Sequence, residues 1–226
     1  MPDYTQRHLF IRRLDEVTRP ELAEPVAYVA DTLERTKNTL AEGLAEIAAD
    51  TRLSSEGQES ERRILKGQLR EAVRKAVEPV VKDLQRRVEQ SEPILTSKVR
   101  NRLRPPLPDE PWARTAALQE RNEREREIRT AVRGMDETTR MVTYLAACRR
   151  ADVETTSAIE GAPEIARLIS KEVETEGAET FAQAAFPNEW DLFVQERLAL
   201  DTVAYNARAC LRDLDPPEPA VDELVA

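Results

Sequence analysis

The stretch LKGQLREAVRKAVEPVVKDLQRRV, residues 65–88, decides the fold of this chain because it places an apolar side chain at every third or fourth position. That spacing follows the 3.6-residue turn of an α-helix, whereas a strand alternates its faces every two residues. The stripe continues past this stretch, so one long amphipathic helix is predicted from about 60 to 104. Its apolar positions are Leu65, Leu69, Val73, Ala76, Val80, Leu84, Val88, Leu95, Val99 and Leu103.

Two prolines interrupt the predicted long helix. Proline lacks a backbone donor, and its ring clashes with the preceding helical turn. We therefore expect a kink near Pro79. We expect a break at 91–93, where Ser91 and Glu92 precede Pro93 in the way that a cap precedes the first turn of a new helix.

The residues before the long helix predict a second one. Apolar side chains with helical spacing run from 21 to 49, and Pro20 and Pro25 lie near the start, where proline is tolerated. A polar turn follows, and Ser55 or Ser60 is expected to cap the long helix. Residues 1–20 are interpreted as an N-terminal arm, so the long-helix region spans 21–104.

The stretch RPPLPDEPW, residues 104–112, carries four prolines in nine residues and predicts a stiff, extended connector. We place the domain boundary within it, at 105–111. The region 112–213 is then predicted to be helical, and its last helix is expected to run from about 188 to 214. The acidic, proline-rich end of the chain, 214–226, is interpreted as a loosely held tail.

The predicted helix after the connector has little apolar surface to bury. Residues 119–127 are all polar, and glutamate precedes arginine by four positions in the pairs Glu120–Arg124 and Glu125–Arg129. This order favours ion pairs along one face of a helix. We expect a helix that is exposed to solvent or contacts a partner.

Composition agrees with an all-α fold. The chain is 34% charged and 4% aromatic, and it has only six glycines among 226 residues. Such a core depends on Leu, Val, Ile and Ala packed along helices. The prediction is an elongated helical bundle with long, kinked amphipathic helices and a compact C-terminal helical subdomain.

No pattern in the sequence indicates a catalytic, metal or cofactor site. The chain has one histidine, His8, and two widely separated cysteines, Cys148 and Cys210, which are expected to be buried structural thiols. Phosphate-binding, nucleophile-elbow and zinc-protease motifs are not found. A non-enzymatic protein is therefore expected. No apolar run has the length of a membrane span, so we also expect the protein to be soluble and cytoplasmic.

Charge is distributed unevenly along the chain. Residues 60–104 hold 13 basic and 6 acidic side chains, whereas 153–226 hold 5 and 16. The basic segment is expected to pair with acidic surfaces of the same or a neighbouring protomer; contact with nucleic acid is the alternative. The candidate contacts with a partner are Arg70, Arg74, Arg86, Trp112 and Trp190.

The stretch RRADVETTSAIEGAPEIARLIS, residues 149–170, predicts a tight corner between helices. Asp152 is a good N-cap, Gly161 fits the left-handed position that ends a helix, and Pro163 fits the start of the next one. The small side chains of Ala158 and Ala162 flank Ile159 and allow helices to approach closely. A DNA-binding helix-turn-helix is rejected, because 153–176 carry six acids against two bases, which repel phosphate.

The region 139–213 resembles small, helix-rich proteins encoded in the structural-gene regions of tailed phages and prophages. The resemblance lies in an aromatic-Leu-x-Ala helix, an Asp cap, an Ala-Ile-x-x-Ala-Pro corner and a Leu-Ile pair. The chain departs from the pattern at 164–167, where many such sequences have an aromatic residue and a proline. The matching residues are Tyr144, Leu145, Ala147, Asp152, Ala158, Ile159, Ala162, Pro163, Leu168 and Ile169.

This resemblance implies a role in a virion or its assembly in the host cytoplasm, and no reaction. The preferred hypothesis is a repeated structural component that contacts copies of itself or other phage structural proteins. The alternative is a helical adaptor or regulator that binds one protein or nucleic acid through 60–104. Steep weakening of binding by salt would indicate the nucleic-acid alternative.

Overall fold

A computed structural model of the chain describes residues 17–162 and 167–214. Within these ranges all regular secondary structure is helical, which confirms the all-α prediction. The predicted arm and tail lie outside the described residues, except for 17–20 and Leu214. The helices are α1 Pro20–Ala49, α2 Ser55–Leu103, α3 Pro111–Arg133, α4 Glu137–Arg149, α5 Val153–Glu160, α6 Lys171–Ala185 and α7 Pro187–Leu214.

The chain forms two compact units, and α2 and α7 each contribute to both. Among the described residues, unit 1 contains 17–89 and 193–214, and unit 2 contains 90–162 and 167–192. The predicted connector at 105–111 lies inside unit 2. Its residues 105–110 belong to the non-helical link between α2 and α3, and Pro111 begins α3.

Unit 1 packs α1, the first part of α2 and most of α7 around an aliphatic core. Leu22, Val26 and Val29 of α1 are completely buried, as the predicted stripe requires. The helices approach closely at Gly43, where an added Cβ would lie 2.6 Å from Leu65 Cδ2. The remaining core residues are Val17, Leu33, Val73, Val77, Val81, Leu84, Ala199, Val203, Ala207, Cys210, Leu211 and Leu214.

The helix α2 continues through Pro93, so the predicted break at 91–93 is wrong. A proline inside a helix removes one backbone hydrogen bond and strains one turn. Apolar side chains beyond the proline compensate by burial, since Leu95 is 6% exposed and Leu103 is 8% exposed. The N-cap prediction was also misplaced, because Ser54 caps α2 and its Oγ accepts a bond from the Gly57 amide at 3.1 Å.

Unit 2 builds its core from the end of α2, from α3 to α6 and from the leucine-isoleucine pair that precedes α6. The two large aromatic side chains at its centre, Tyr144 and Phe181, are completely buried. The other members of the cluster are Leu103, Val132, Cys148, Ile159, Leu168 and Ile169.

The corner before α6 differs from its prediction in one respect. Gly161 has φ −76°, so the expected left-handed conformation is wrong. Ala151 has φ 51° instead and ends α4. Its amide donates to the Cys148 carbonyl at 3.0 Å, and the Asp152 amide donates to the Ala147 carbonyl at 2.9 Å. These two bonds form a Schellman motif with alanine at the position where glycine is usual.

Candidate functional site

The corner brings together most of the residues that were singled out in it. Asp152 caps α5 as predicted, because its carboxylate accepts bonds from the Thr155 amide at 3.1 Å and the Thr155 hydroxyl at 2.8 Å. Ala158 and Ile159 are buried and Ala162 is half-buried, whereas Pro163 lies outside the described residues. These residues therefore stabilise local structure, as packing residues and a helix cap do.

A buried polar cluster lies beneath this corner, and sequence reasoning did not find it. The Tyr144 hydroxyl donates to Glu160 Oε1 at 2.7 Å and lies 3.4 Å from the Glu174 carbonyl oxygen. A Cβ at Gly177 would lie 2.1 Å from Tyr144 Cε1, so only glycine leaves room for the ring. The one available signal was a glycine at a helix-interior position, where it is otherwise unfavourable.

Burial shifts the ionisation of this cluster towards its neutral forms. Desolvation raises the pKa of Glu160, and the charge of Glu174 adds to the rise, while the Tyr144 hydrogen bond and Arg104 oppose it. Desolvation also raises the pKa of Tyr144 and of Cys148. The Cys148 Sγ lies 3.8 Å from Thr156 Oγ1. The phenol and the thiol stay protonated at neutral pH, which gives a packing role and no activated nucleophile.

Cys210, in unit 1, is also a buried free thiol, and burial raises its pKa to about 11. Both cysteines therefore confirm the expectation of buried structural thiols. Within the described ranges, no group of three or more His, Cys, Asp or Glu side chains is placed to hold a metal ion. None of the helices in these ranges combines the length and apolarity that a membrane crossing requires.

Arg129 ties the corner to α3. Its Nε donates to the Ala158 carbonyl at 2.7 Å, and its Nη2 donates to Glu125, the pair expected from the sequence. A Cβ at Gly161 would lie 2.8 Å from the Ser157 carbonyl oxygen and 3.0 Å from Arg129 Nη2. Gly161 is therefore required by close packing and not by a left-handed backbone.

An open cleft of about 270 Å³ lies beside this corner. Arg124 crosses it and bonds both Glu120 and Glu154 at 2.6 Å, so the predicted Glu120–Arg124 pair is confirmed. The cleft is lined by apolar side chains and by paired charged side chains. Its lining residues are Leu103, Pro105, Ala117, Glu120, Arg121, Arg124, Glu125, Ile128, Val153, Glu154 and Ser157.

The connector 104–110 lies along α3 and is held there by two arginines. Arg121 Nη2 donates to the Pro105 carbonyl, and Arg114 Nε donates to the Pro108 carbonyl, each at 3.1 Å. The rings of Pro105 and Pro108 remain exposed. Trp112 follows at the start of α3 and is 77% exposed, the highest value among the large apolar side chains of the described residues.

The basic side chains of α2 pair mainly with acids one turn away. Lys82 pairs with Glu78, and both Arg86 and Arg87 pair with Asp83. These hydrogen bonds lower the pKa of Glu78, through Lys82, and of Asp83, chiefly through Arg87. Further along α2, Lys98 pairs with Glu189 of α7, within unit 2. Exposed pairs of this kind contribute little to stability.

The predicted partner contacts are distributed over both units. Arg70, Arg74 and Arg86 lie on α2 within unit 1, and Trp112 and Trp190 lie in unit 2. Arg86 is exposed, while Arg70 and Arg74 are half-buried. Trp190 is half-buried near the start of α7.

Comparisons with known proteins identify no relative of this chain. No protein-family model, no curated protein and no solved structure matches it.

Proposed function

We propose that this chain is a non-enzymatic helical structural or assembly protein of a tailed-phage particle and that it contacts copies of itself or other structural proteins. The observation that carries the proposal is the 77% exposure of Trp112. The chain has only two tryptophans. Leaving the larger part of this side chain in water forfeits burial that would stabilise the monomer.

Other large apolar side chains are also left exposed on the helices. Tyr28 of α1 is 55% exposed, Ile64 of α2 is 50% exposed, and Tyr205 of α7 is 47% exposed. Isolated exposed apolar residues are common on monomeric proteins. Aromatic side chains, however, are enriched where proteins meet, and tryptophan and tyrosine dominate the binding energy of many interfaces.

The virion context is supported by the resemblance of 139–213 to phage-encoded helical proteins. Seven of its residues have defined packing or capping roles, because Asp152 caps α5 and six others are buried: Tyr144, Ala147, Ala158, Ile159, Leu168 and Ile169. A motif whose residues pack and cap helices suits a structural component.

Sedimentation velocity over a range of protein concentrations tests the proposed self-contact. Trp112→Ala should shift the full chain towards the monomer, while Gln119→Ala, at an exposed polar position of the same helix, should leave the distribution unchanged. If the wild-type chain stays monomeric, mass spectrometry of purified particles from the source strain tests for a different structural partner. A monomer whose peptides do not occur in such particles would refute the proposal.

The adaptor alternative rests on the charge of α2. Pairing within the helix leaves the excess of 13 basic over 6 acidic side chains in 60–104 unchanged. If this excess binds nucleic acid, the wild-type chain should bind duplex DNA with an affinity that falls steeply as salt increases. Changing Arg70, Arg74 and Arg86 together to Glu should abolish that binding while helix content is retained. If the assembly proposal is correct, this variant should assemble poorly and the wild type should not bind DNA.

A further inference from the structure

Local covalent geometry constrains the backbone of the connector 104–110 strongly. Three of its seven residues are prolines, which fix φ near −65°, and four of the seven directly precede a proline, which excludes the helical region. Glu110 has φ −67° and ψ 128°, close to polyproline II values. The sequence therefore favours a polyproline II helix before any tertiary contact is made.

The two arginines of α3 match that conformation in spacing. Arg114 and Arg121 are seven residues apart, about 10.5 Å along an α-helix. Pro105 and Pro108, whose carbonyls they bond, are three residues apart, about 9.3 Å along polyproline II. A polyproline II helix repeats every three residues, so these carbonyls point the same way, whereas in a β-strand they would point to opposite sides. The two contacts are therefore spaced as one full turn of polyproline II along α3 requires.

The opposite side of the connector is accessible. Pro105, Pro106 and Pro108 are exposed, and Leu107 is half-buried. Within the described ranges, the carbonyls of Pro106 and Leu107 accept no hydrogen bond. The connector therefore offers exposed prolines together with carbonyls that have no partner in these ranges, which are the groups that polyproline-binding domains contact.

Charge gives the connector a direction. Arg100 and Arg102, in the last turn of α2, are exposed on its amino side, while Asp109 and Glu110 are exposed on its carboxyl side. A polyproline II helix presents similar surfaces in both chain directions, so a binding groove can distinguish the two orientations only by the charges that flank the helix. A groove that binds this segment is expected to carry carboxylates near the arginines.

We infer that residues 104–110 form a pre-organised polyproline II ligand for a partner protein domain whose groove is lined by aromatic side chains and bordered by carboxylates. Because the α3 arginines order the connector before a partner binds, less conformational entropy is lost on binding. The inference rests on the proposed function only in that both require a protein partner. The sedimentation experiment and the binding experiment below can fail independently.

The test titrates the full chain with two purified probes, an SH3 domain with an acidic rim and a WW domain, by isothermal titration calorimetry. At least one probe should bind the wild type, and Pro105→Ala, Pro106→Ala and Pro108→Ala together should weaken that binding by about tenfold or more. Pro111→Ala, at the first position of α3, should leave it unchanged. Binding by neither probe overturns the inference. The inference is also overturned if the triple proline variant binds as well as the wild type, or if only Trp112→Ala abolishes binding.

Circular dichroism checks that the triple variant folds, and Pro106→Ala alone replaces it if it does not, since the Pro106 carbonyl holds no contact with α3. Pre-organisation is tested by Arg114→Ala with Arg121→Ala, which leaves every proline in place. This double variant should bind the same probe severalfold more weakly, because the probe must then order the connector itself. Unchanged affinity would overturn the role assigned to the two arginines.

Discussion

The two units bury their polar groups differently. Unit 1 has an aliphatic core cluster, and two of its buried polar atoms, Glu196 Oε2 and Thr202 Oγ1, have no hydrogen-bond partner within the described ranges. Unit 2 also leaves one buried polar atom, Arg140 Nε, without a partner in these ranges, but the hydroxyl of its buried Tyr144 is bonded to Glu160. Aliphatic side chains along one face of a helix can form a core against any other apolar helix face. A buried phenol instead requires a hydrogen-bond partner for its hydroxyl and a cavity that fits its ring.

The largest effect is expected where unit 2 depends on shape. Gly177→Ala should destabilise the chain by about 2 kcal/mol, because its Cβ would lie 2.1 Å from Tyr144 Cε1 and the gain in helix propensity is smaller than the cost of overpacking. Urea denaturation measures the change.

Gly67→Ala is the matched control. Gly67 also lies inside a helix, but a Cβ there would meet nothing within 4 Å, so the chain should gain roughly 0.5 to 1 kcal/mol. Equal effects at the two glycines would show that Tyr144 does not require the space at Gly177.

Hydroxyl removal should have opposite signs in the two units. Tyr144→Phe deletes a bonded group and should cost about 1 kcal/mol, since Glu160 then loses its donor. Thr202→Val deletes a completely buried hydroxyl without a partner in the described ranges and should stabilise by about 1 kcal/mol.

Thr36→Val is the control for the threonine change, because Thr36 is also buried in unit 1 but its hydroxyl donates to the Thr32 carbonyl at 2.8 Å. This variant should be slightly destabilised. Thermal melts of Tyr144→Phe, Thr202→Val and Thr36→Val measure these changes in stability. A loss of stability in Thr202→Val would mean that the Thr202 hydroxyl is hydrogen-bonded in solution.

Glu160 makes the stability of unit 2 depend on pH. Burial raises its pKa in the folded state above 4.5, so folding favours the protonated carboxyl. Its contribution is complete below the unfolded pKa and is lost as pH rises through the folded value. Glu160→Gln should therefore be more stable than the wild type at pH 7, and the difference should shrink as pH falls towards 4.5.

Urea melts at several pH values measure this dependence, with Glu123→Gln, at an exposed position of α3, as the control. A Glu160→Gln variant that is less stable than the wild type at pH 7 would contradict the argument. It would mean that the Tyr144 hydrogen bond and the charge of Arg104 together outweigh desolvation in setting the pKa of Glu160.

The smallest effect concerns the end of α4. Ala151→Gly should stabilise by about 0.5 kcal/mol, because glycine adopts φ 51° without the steric cost that alanine bears, and loss of the half-buried methyl group offsets part of the gain. Chemical denaturation detects the difference. A clear loss of stability would place the left-handed turn elsewhere.

The helices could be predicted from the sequence because helix formation depends mainly on residues that are close together along the chain. The stripe over 21–49 became α1, Asp152 capped α5, and Glu120 and Glu125 paired with the expected arginines. Each of these outcomes depends on residues within about four positions of one another. The phage-related role and the partner contacts stay predictions.

The candidate site was predicted only in part. The corner was recognised, but its left-handed residue was assigned to Gly161 because glycine is usual there, and Ala151 adopts that conformation instead. Tyr144 was recognised only as one residue of a resemblance. Its bond to Glu160 spans 16 residues and its space is supplied by Gly177 of another helix, so no local pattern could reveal either.

The sequence by itself determined where helices form and that the connector is extended, because backbone preferences, caps and one-turn charge pairs involve neighbours along the chain. The tertiary structure decided that α2 survives Pro93, that Gly161 is needed for packing, and that α3 arginines bind the connector. These outcomes depend on atoms that folding brings together from distant positions. Their energies of a few kcal/mol exceed the local preferences that they override.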